Sequence, residues 1–362
     1  MLRVALVTPG YPPTVGGVEQ HVYRLAMSLH RRGVYVEVWS HDRPGATPRS
    51  ATEFPVRRFP TVGPKPYVVS PALVRALRRS VHRFDIVHGH NYHTSAVAEA
   101  ALAGRSRLIV TPHFHGGGHT AIARVLHRAY RPLARTLLRG ASGIVCVSRA
   151  ESKLVVSEFP ELRGRTTVIP NGVDVEAIQA AEPYPRSRVV LAIGRLESYK
   201  RLDVVVEALA HLPPEYTLVI IGKGPQEGYL RRIAQRSGIE SRIEMLGNVP
   251  DSEVQRWLRT ADVSVTLSQR EAFGLFVAES LAAGTPLVAS NIAAHREVLE
   301  SAGAGAWGRL VEDYRGVTVA HAILAAGRLE RRPFRIGTWD DVAEATLAMY
   351  EDALEPAGRD PA

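Results

Sequence analysis

The 362-residue sequence predicts an α/β protein built from two doubly wound parallel sheets in series. Three observations carry this reading. Short β-branched runs alternate with amphipathic stretches along the chain. The alternation halts across "NGVDVEAIQAAEPYPRS" (171–187), which holds two Pro and has no strand periodicity, and then begins again. With 45% hydrophobic and 22% charged residues, the chain has a globular composition and enough length for two cores.

The first series of strands is expected at "RVALVT" (3–8), "VYVEVWS" (34–40), "DIVHGH" (85–90), "RLIVT" (107–111), "GIVCVS" (143–148) and "TTVIP" (166–170), with helices near 19–32, 120–138 and 148–159. The second runs through "RVVLAIGR" (188–195), "YTLVIIGKG" (216–224), "RIEMLG" (242–247), "ADVSVTLS" (261–268) and "TPLVAS" (285–290). Its helices fall near 200–212, 227–238, 251–261, 276–283 and 317–328. The expected division is 1–170 and 171–339, with the hinge at 171–187. The N-terminus is too quickly broken by Pro for a signal peptide, and no run approaches the roughly 20 apolar residues of a membrane span. That predicts a cytoplasmic protein. The single Cys146, among apolar neighbours, is expected to be a buried inert thiol.

Charge is unevenly placed. Residues 1–170 hold 24 basic against 9 acidic residues, net +15, whereas 171–362 hold 21 against 27, net −6. Arginines recur in "RALRRSVHRF" (75–84) and "RVLHRAYRPLARTLLR" (124–139), where helical spacing sets much of the charge along one side. Such a face suits a phosphate-bearing partner or the inner surface of an anionic membrane, as well as plain solvent. Nucleic acid is not expected, because no aromatic platforms lie between the basic residues.

Ligands of doubly wound sheets bind beyond the carboxyl ends of the strands, so the chemistry is sought in those loops. "TPGYPPTVGGVEQH" (8–21) leaves the first strand and reaches Gly16 and Gly17, where a backbone can approach a ligand without a Cβ in the way. It is not the G-x-G-x-x-G of a dinucleotide enzyme. "GRLESYK" (194–200) sets Arg195 and Lys200 at a strand end, and "GKGP" (222–225) follows the next strand. The chain has four Lys, Lys65, Lys153, Lys200 and Lys223, beside 41 Arg, so two of the four stand at strand ends of one domain. An Arg fork with a Lys point charge suits a diphosphate.

In "EAFGLFVAES" (271–280) a helix beginning near Leu275 carries Glu279 among apolar residues, and Gly284 and Pro286 end it. A carboxylate there is tolerable if a vicinal diol such as ribose donates two hydroxyls to it. Glu271 lies about 12 Å away at helical rise, too far for one small sugar to meet both. A nucleotide sugar has the required length, with loop amides near Phe273 and Gly274 facing its phosphates.

"PPTVGGVE" (12–19), "NGVD" (171–174), "GRLESYK", "GKGP" and "SQREAFGLFVAESLAAGTPLVAS" (268–290), in this order, make the chain resemble a family 4 glycosyltransferase of the GT-B fold. The resemblance covers nearly the whole chain. It implies two Rossmann-like domains facing a cleft and a retaining transfer of a hexose or N-acetylhexosamine from a UDP- or GDP-sugar, with no metal ion and no cofactor beyond that substrate. By this likeness Arg195 and Lys200 hold the diphosphate, Glu279 the ribose and Glu271 the hexose. Gly222, Val249, Phe273, Gly274 and Leu275 add contacts to the nucleotide sugar, and Gly16 and Gly17 act from the acceptor-side domain. His113 in "TPHFH" matches the family's histidine near the reacting sugar carbon, in a positioning role. The last helix, 340–362, is expected to pack back on the first domain, lowering its charge to +9. The chain departs from the family at Lys223 and at "SNIAAHREVLE" (290–300), where His295, Arg296 and Glu297 replace a Gly-rich segment.

Six of 14 His fall in two loops, His88, His90 and His93, then His113, His115 and His119. Their H-x-H spacings are compatible with zinc, but with no Cys and no near carboxylate beyond Glu99 they favour acceptor or phosphate contact. "WDDV" (339–342) reads as a helix N-terminus. The acceptor is expected to be a phosphate-bearing lipid or glycan, with a soluble cyclitol or secondary metabolite as the alternative. A sugar-nucleotide 2-epimerase would need carboxylates clustered with His in the Glu-poor first domain. A pyridoxal phosphorylase would need Lys200 or Lys223 as its Schiff base.

Overall fold

A computed structural model of the chain describes residues 1–14, 16–41, 53–63, 68–104, 107–116, 121–305 and 307–355. Lys65, His119 and the end of the expected tail at 356–362 lie outside the described residues. Two compact units result, Met1–Asn171 with Trp339–Ala362, and Gly172–Thr338.

In the first unit β1 (Arg3–Thr8) leads through α1 (Gly17–Arg31) to β2 (Tyr35–His41) and β3 (Val56–Phe59), then α2 (Pro71–Ser80), β4 (Ile86–His90), α3 (Ala96–Ala103) and β5 (Arg107–Thr111). The unit continues with α4 (Ala121–Gly140), β6 (Gly143–Cys146), α5 (Arg149–Glu158) and β7 (Thr166–Val168). The sheet order is β3-β2-β1-β4-β5-β6-β7, and every pairing is parallel. Helices cover both faces of such a sheet, which is why Val4, Ala5, Leu6 and Val7 are all fully buried in an unbroken apolar run. The order reverses between β1 and β4.

The second unit opens with α6 (Val175–Ala180) and continues β8 (Val189–Ile193), α7 (Leu202–Ala210), β9 (Thr217–Ile221), α8 (Glu227–Arg236), β10 (Ile243–Gly247) and α9 (Asp251–Thr260). It ends with β11 (Val263–Thr266), α10 (Leu275–Ala283), β12 (Leu287–Ser290), α11 (Ala293–Ser301), β13 (Arg309–Val311) and α12 (Gly316–Ala326). Its parallel sheet runs β10-β9-β8-β11-β12-β13, with the reversal between β8 and β11. The last helix, α13 (Trp339–Leu354), returns to the first unit. There Trp339, Val342, Ala343 and Tyr350 join the core made by α1 and β1.

Several expectations need correction. The stretch 171–187 is not linker throughout, because α6 forms within it and buries Ile178. Strand β3, "VRRF", gave no strand signal because two Arg interrupt it at the sheet edge. Helix α3, "AVAEAALA", is small and apolar almost all round, so it shows no amphipathic period. α11 and the three-residue β13 are likewise unexpected, while α2 begins at Pro71, ahead of the arginine-spaced stretch at 75–84. α1 begins at Gly17, two residues before the expected start.

Candidate functional site

The loops after β8, β9 and β10 are joined by their backbones. Gly194 N donates to Ile221 O (3.0 Å), Leu196 N to Lys223 O (3.0 Å), Gln226 N to Leu196 O (2.9 Å) and Gly222 N to Gly247 O (2.7 Å). Glycine is required where these loops cross: Gly222 has φ +132°, and a Cβ on it would overlap the Gly194 carbonyl. At Gly224 a Cβ would lie 2.5 Å from Leu196 O. Backbone contact between neighbouring loops therefore gathers Arg195, Lys200 and Gly222 at one end of the sheet, and half-buried Val249 follows β10 at that same end.

The loops after β8 and β11 flank the reversal of strand order, where doubly wound sheets bind ligands. Gln269 N donates to Tyr199 O (2.9 Å) across it. Lys200 Nζ reaches Glu271 Oε1 at 2.5 Å, and both side chains are mostly shielded, at 17% and 23% exposure. Burial opposes the ammonium, but Glu271 and Tyr199 outweigh it and raise the Lys200 pKa. Burial likewise opposes the carboxylate, yet Lys200, His295 and Ser268 hold Glu271 below its ordinary value. The pair is ionised on both sides. Arg195 is exposed and donates to Tyr199 Oη at 3.0 Å.

Fully buried His295 lies behind this pair. Its Nδ1 is 3.1 Å from Ser290 O, and its Nε2 finds no hydrogen-bond partner among the described residues. Its ring packs on Gly274, where φ is +101° and a Cβ would lie 2.9 Å from His295 Cδ2. Gly274 caps α10, Phe273 is buried before it and Leu275 opens the helix half-buried. Glu279 is half-buried, not enclosed as its apolar neighbours implied, so the reading of a carboxylate starved of solvent is corrected. Glu271 lies in the loop before α10, where the sequence placed it.

In the first unit Gly16 precedes α1 with extended backbone and Gly17 is exposed at its first turn, next to buried Glu19. His113 follows β5 with φ +48°, a conformation rare for a side-chain-bearing residue and often found at functional sites. His88 and His90 lie within β4 and not in a loop as expected, and the two His clusters do not act as one group. His88 is held between Tyr350 Oη and Thr111 Oγ1 at 2.7 Å each, and His93 stacks on His115 at 4.5 Å. His90 and His113 instead meet His21 of α1, with ring centres 5.4 Å and 4.8 Å from His21. Sequence reasoning missed His21, whose signal is a polar residue four positions before Leu25 on the buried face of α1. Glu99 is engaged elsewhere, accepting from Ser70 N (2.6 Å) and bonded to His41 Nε2 (2.7 Å).

Residues 15–177 match the description "Glycosyltransferase Family 4" and residues 174–325 match "Glycosyl transferases group 1". The chain belongs to glycosyltransferase family 4. Among relatives, this glycosyltransferase is 29% identical over 378 residues to phosphatidyl-myo-inositol mannosyltransferase of Mycobacterium leprae, covering 97% of this chain and 96% of that one. It is 27% identical over 383 residues to a phosphatidylinositol N-acetylglucosaminyltransferase subunit of Arabidopsis thaliana, covering 99% and 83%. It is also 27% identical to D-inositol 3-phosphate glycosyltransferase of Xylanimonas cellulosilytica, covering 94% and 92%. Anabaena Alr3699/HepE, solved with UDP and glucose, shares the fold at TM-score 0.71 and 20% identity, over 97% of this chain and 95% of that one. Each unit is the parallel-sheet α/β domain of a GT-B glycosyltransferase. Among the described residues no helix is long and apolar enough to cross a membrane.

Proposed function

We propose that the protein transfers a hexose or N-acetylhexosamine from a UDP- or GDP-sugar to an acceptor hydroxyl with retention of anomeric configuration. The observation that carries this is the ionised Lys200–Glu271 pair at the sheet reversal of the second unit, with Glu279 following on α10. Lys200 and Arg195 neutralise the donor diphosphate, with no metal ion asked to do so, and stabilise the charge that develops there as the bond to the sugar breaks. Glu279 accepts the ribose hydroxyls and Glu271 those of the hexose. Gly222, Val249 and the Phe273–Leu275 backbone complete the donor contacts. Gly16, Gly17 and His113 serve the acceptor and the transferred sugar. The anomeric carbon loses its phosphate oxygen and gains the acceptor oxygen, and the departing phosphate takes the acceptor proton.

The acceptor we favour bears a phosphate. The first unit carries net +9 once its tail is included, and the three relatives above are named for phosphatidylinositol or for an inositol phosphate. A lipid acceptor would bring this unit to an anionic membrane surface on the cytoplasmic side. The test is detection of product by mass spectrometry, with proton NMR of its anomeric centre and of the donor, using UDP- and GDP-linked glucose, mannose and N-acetylglucosamine, each offered inositol phosphate or vesicles containing phosphatidylinositol. One donor is expected to label one acceptor in the donor's own anomeric configuration. Conversion of donor alone to an epimer would replace this reading with the 2-epimerase.

A further inference from the structure

We propose that His21, His90 and His113 of the first unit form a binding site for a divalent transition-metal ion of the zinc class. The three residues come from three elements, α1, the end of β4 and the loop after β5, and all are buried. One nitrogen of each lies within 4.8 Å of the others. Ring centres stand 4.8, 5.4 and 5.7 Å apart. Three imidazoles bound tetrahedrally at about 2.1 Å have ring centres about 5 Å apart, so a contraction on the order of 1 Å among the nitrogens completes the geometry.

The nitrogens also need a partner. Both His90 nitrogens and His113 Nε2 are buried without a hydrogen bond among the described residues. Buried ring nitrogens without a partner are costly to leave so. A metal ion would take one nitrogen from each ring, so it would satisfy one His90 nitrogen together with a nitrogen of His113. His21 Nδ1 meets Asn171 Oδ1 at 2.8 Å, an acceptor that places the ring proton on Nδ1 and leaves Nε2 as the donor atom, the usual support for a metal-bound imidazole. Three imidazoles leave one tetrahedral position to an oxygen donor.

The site is tested on the untagged, chelator-treated full chain by titration with Co2+, read from its visible bands, and with Zn2+ by calorimetry. One ion per chain with tetrahedral Co2+ absorption is expected. His90→Gln and His21→Gln should each weaken binding by at least about 100-fold and Asn171→Ala by about 10-fold, while His115→Gln leaves it unchanged. X-ray absorption at the zinc edge of the wild type should show three imidazole ligands, which removes any dependence on how the variants fold. Absence of saturable binding, affinities unchanged in His90→Gln and His21→Gln, or an all-oxygen zinc shell would each overturn the proposal.

Discussion

At the residue scale the second unit rests on a charge pair whose members need each other. Lys200→Ala leaves Glu271 beside His295 with its compensating cation gone, and it removes the charge proposed to meet the diphosphate. Turnover is expected to fall by about 10²–10³-fold, as when one transition-state donor is lost, with a melting temperature only a few degrees lower. Steady-state kinetics beside thermal melts would reveal this, and equal turnover would take Lys200 out of the role. Glu279→Ala is expected to weaken nucleotide binding by about 10- to 100-fold, the worth of hydrogen bonds to a charged group. Because Glu279 is half-buried, the fold should change little. His295 titrates below its ordinary 6.5, chiefly through burial and against the pull of Glu271. Folded protein therefore binds fewer protons there than unfolded, and stability present above about pH 6.5 is lost as pH falls. Glu271 contributes its own loss only below 4.5. Between about pH 6.5 and 5 the slope of melting temperature against pH is expected to flatten in His295→Gln; an unchanged slope would assign it to other groups.

At the element scale the strand-end loops and the tail helix carry the architecture. Gly222→Ala drives a methyl group into the Gly194 carbonyl at a positive φ, and a loss of about 3 kcal/mol or more is expected in chemical denaturation. Tyr350→Phe removes the hydroxyl that bonds buried His88, which ties α13 to the sheet, and should cost about 1–3 kcal/mol. Most strands and the long helices were readable in the sequence, because buried parallel strands are continuous apolar runs and α4 and α13 are long. The residues proposed to meet the donor stand out in the sequence because they sit in loops with unusual composition, such as the rare Lys. What stayed hidden depended on distance in sequence: β3 is a strand only by pairing with β2, and His21 reaches His90 and His113 only through the sheet. The H-x-H spacings pointed to neighbours in sequence, and the fold paired the histidines otherwise.

At the scale of the whole molecule, charge and chain path agree. The acidic α13 joins the basic first unit, where Arg32 bonds the Asp340 carbonyl (3.1 Å) and Glu344 (3.3 Å). The second unit keeps its own core and its own sheet reversal, so the proposed donor recognition falls within one continuous segment, Gly172–Thr338. Calorimetric titration of UDP- and GDP-hexoses into wild type, Lys200→Ala and Glu279→Ala tests that assignment most directly. The account predicts that one nucleotide series binds the wild type and that both variants bind it at least about 10-fold more weakly while remaining folded. Binding of equal strength in all three proteins would contradict it.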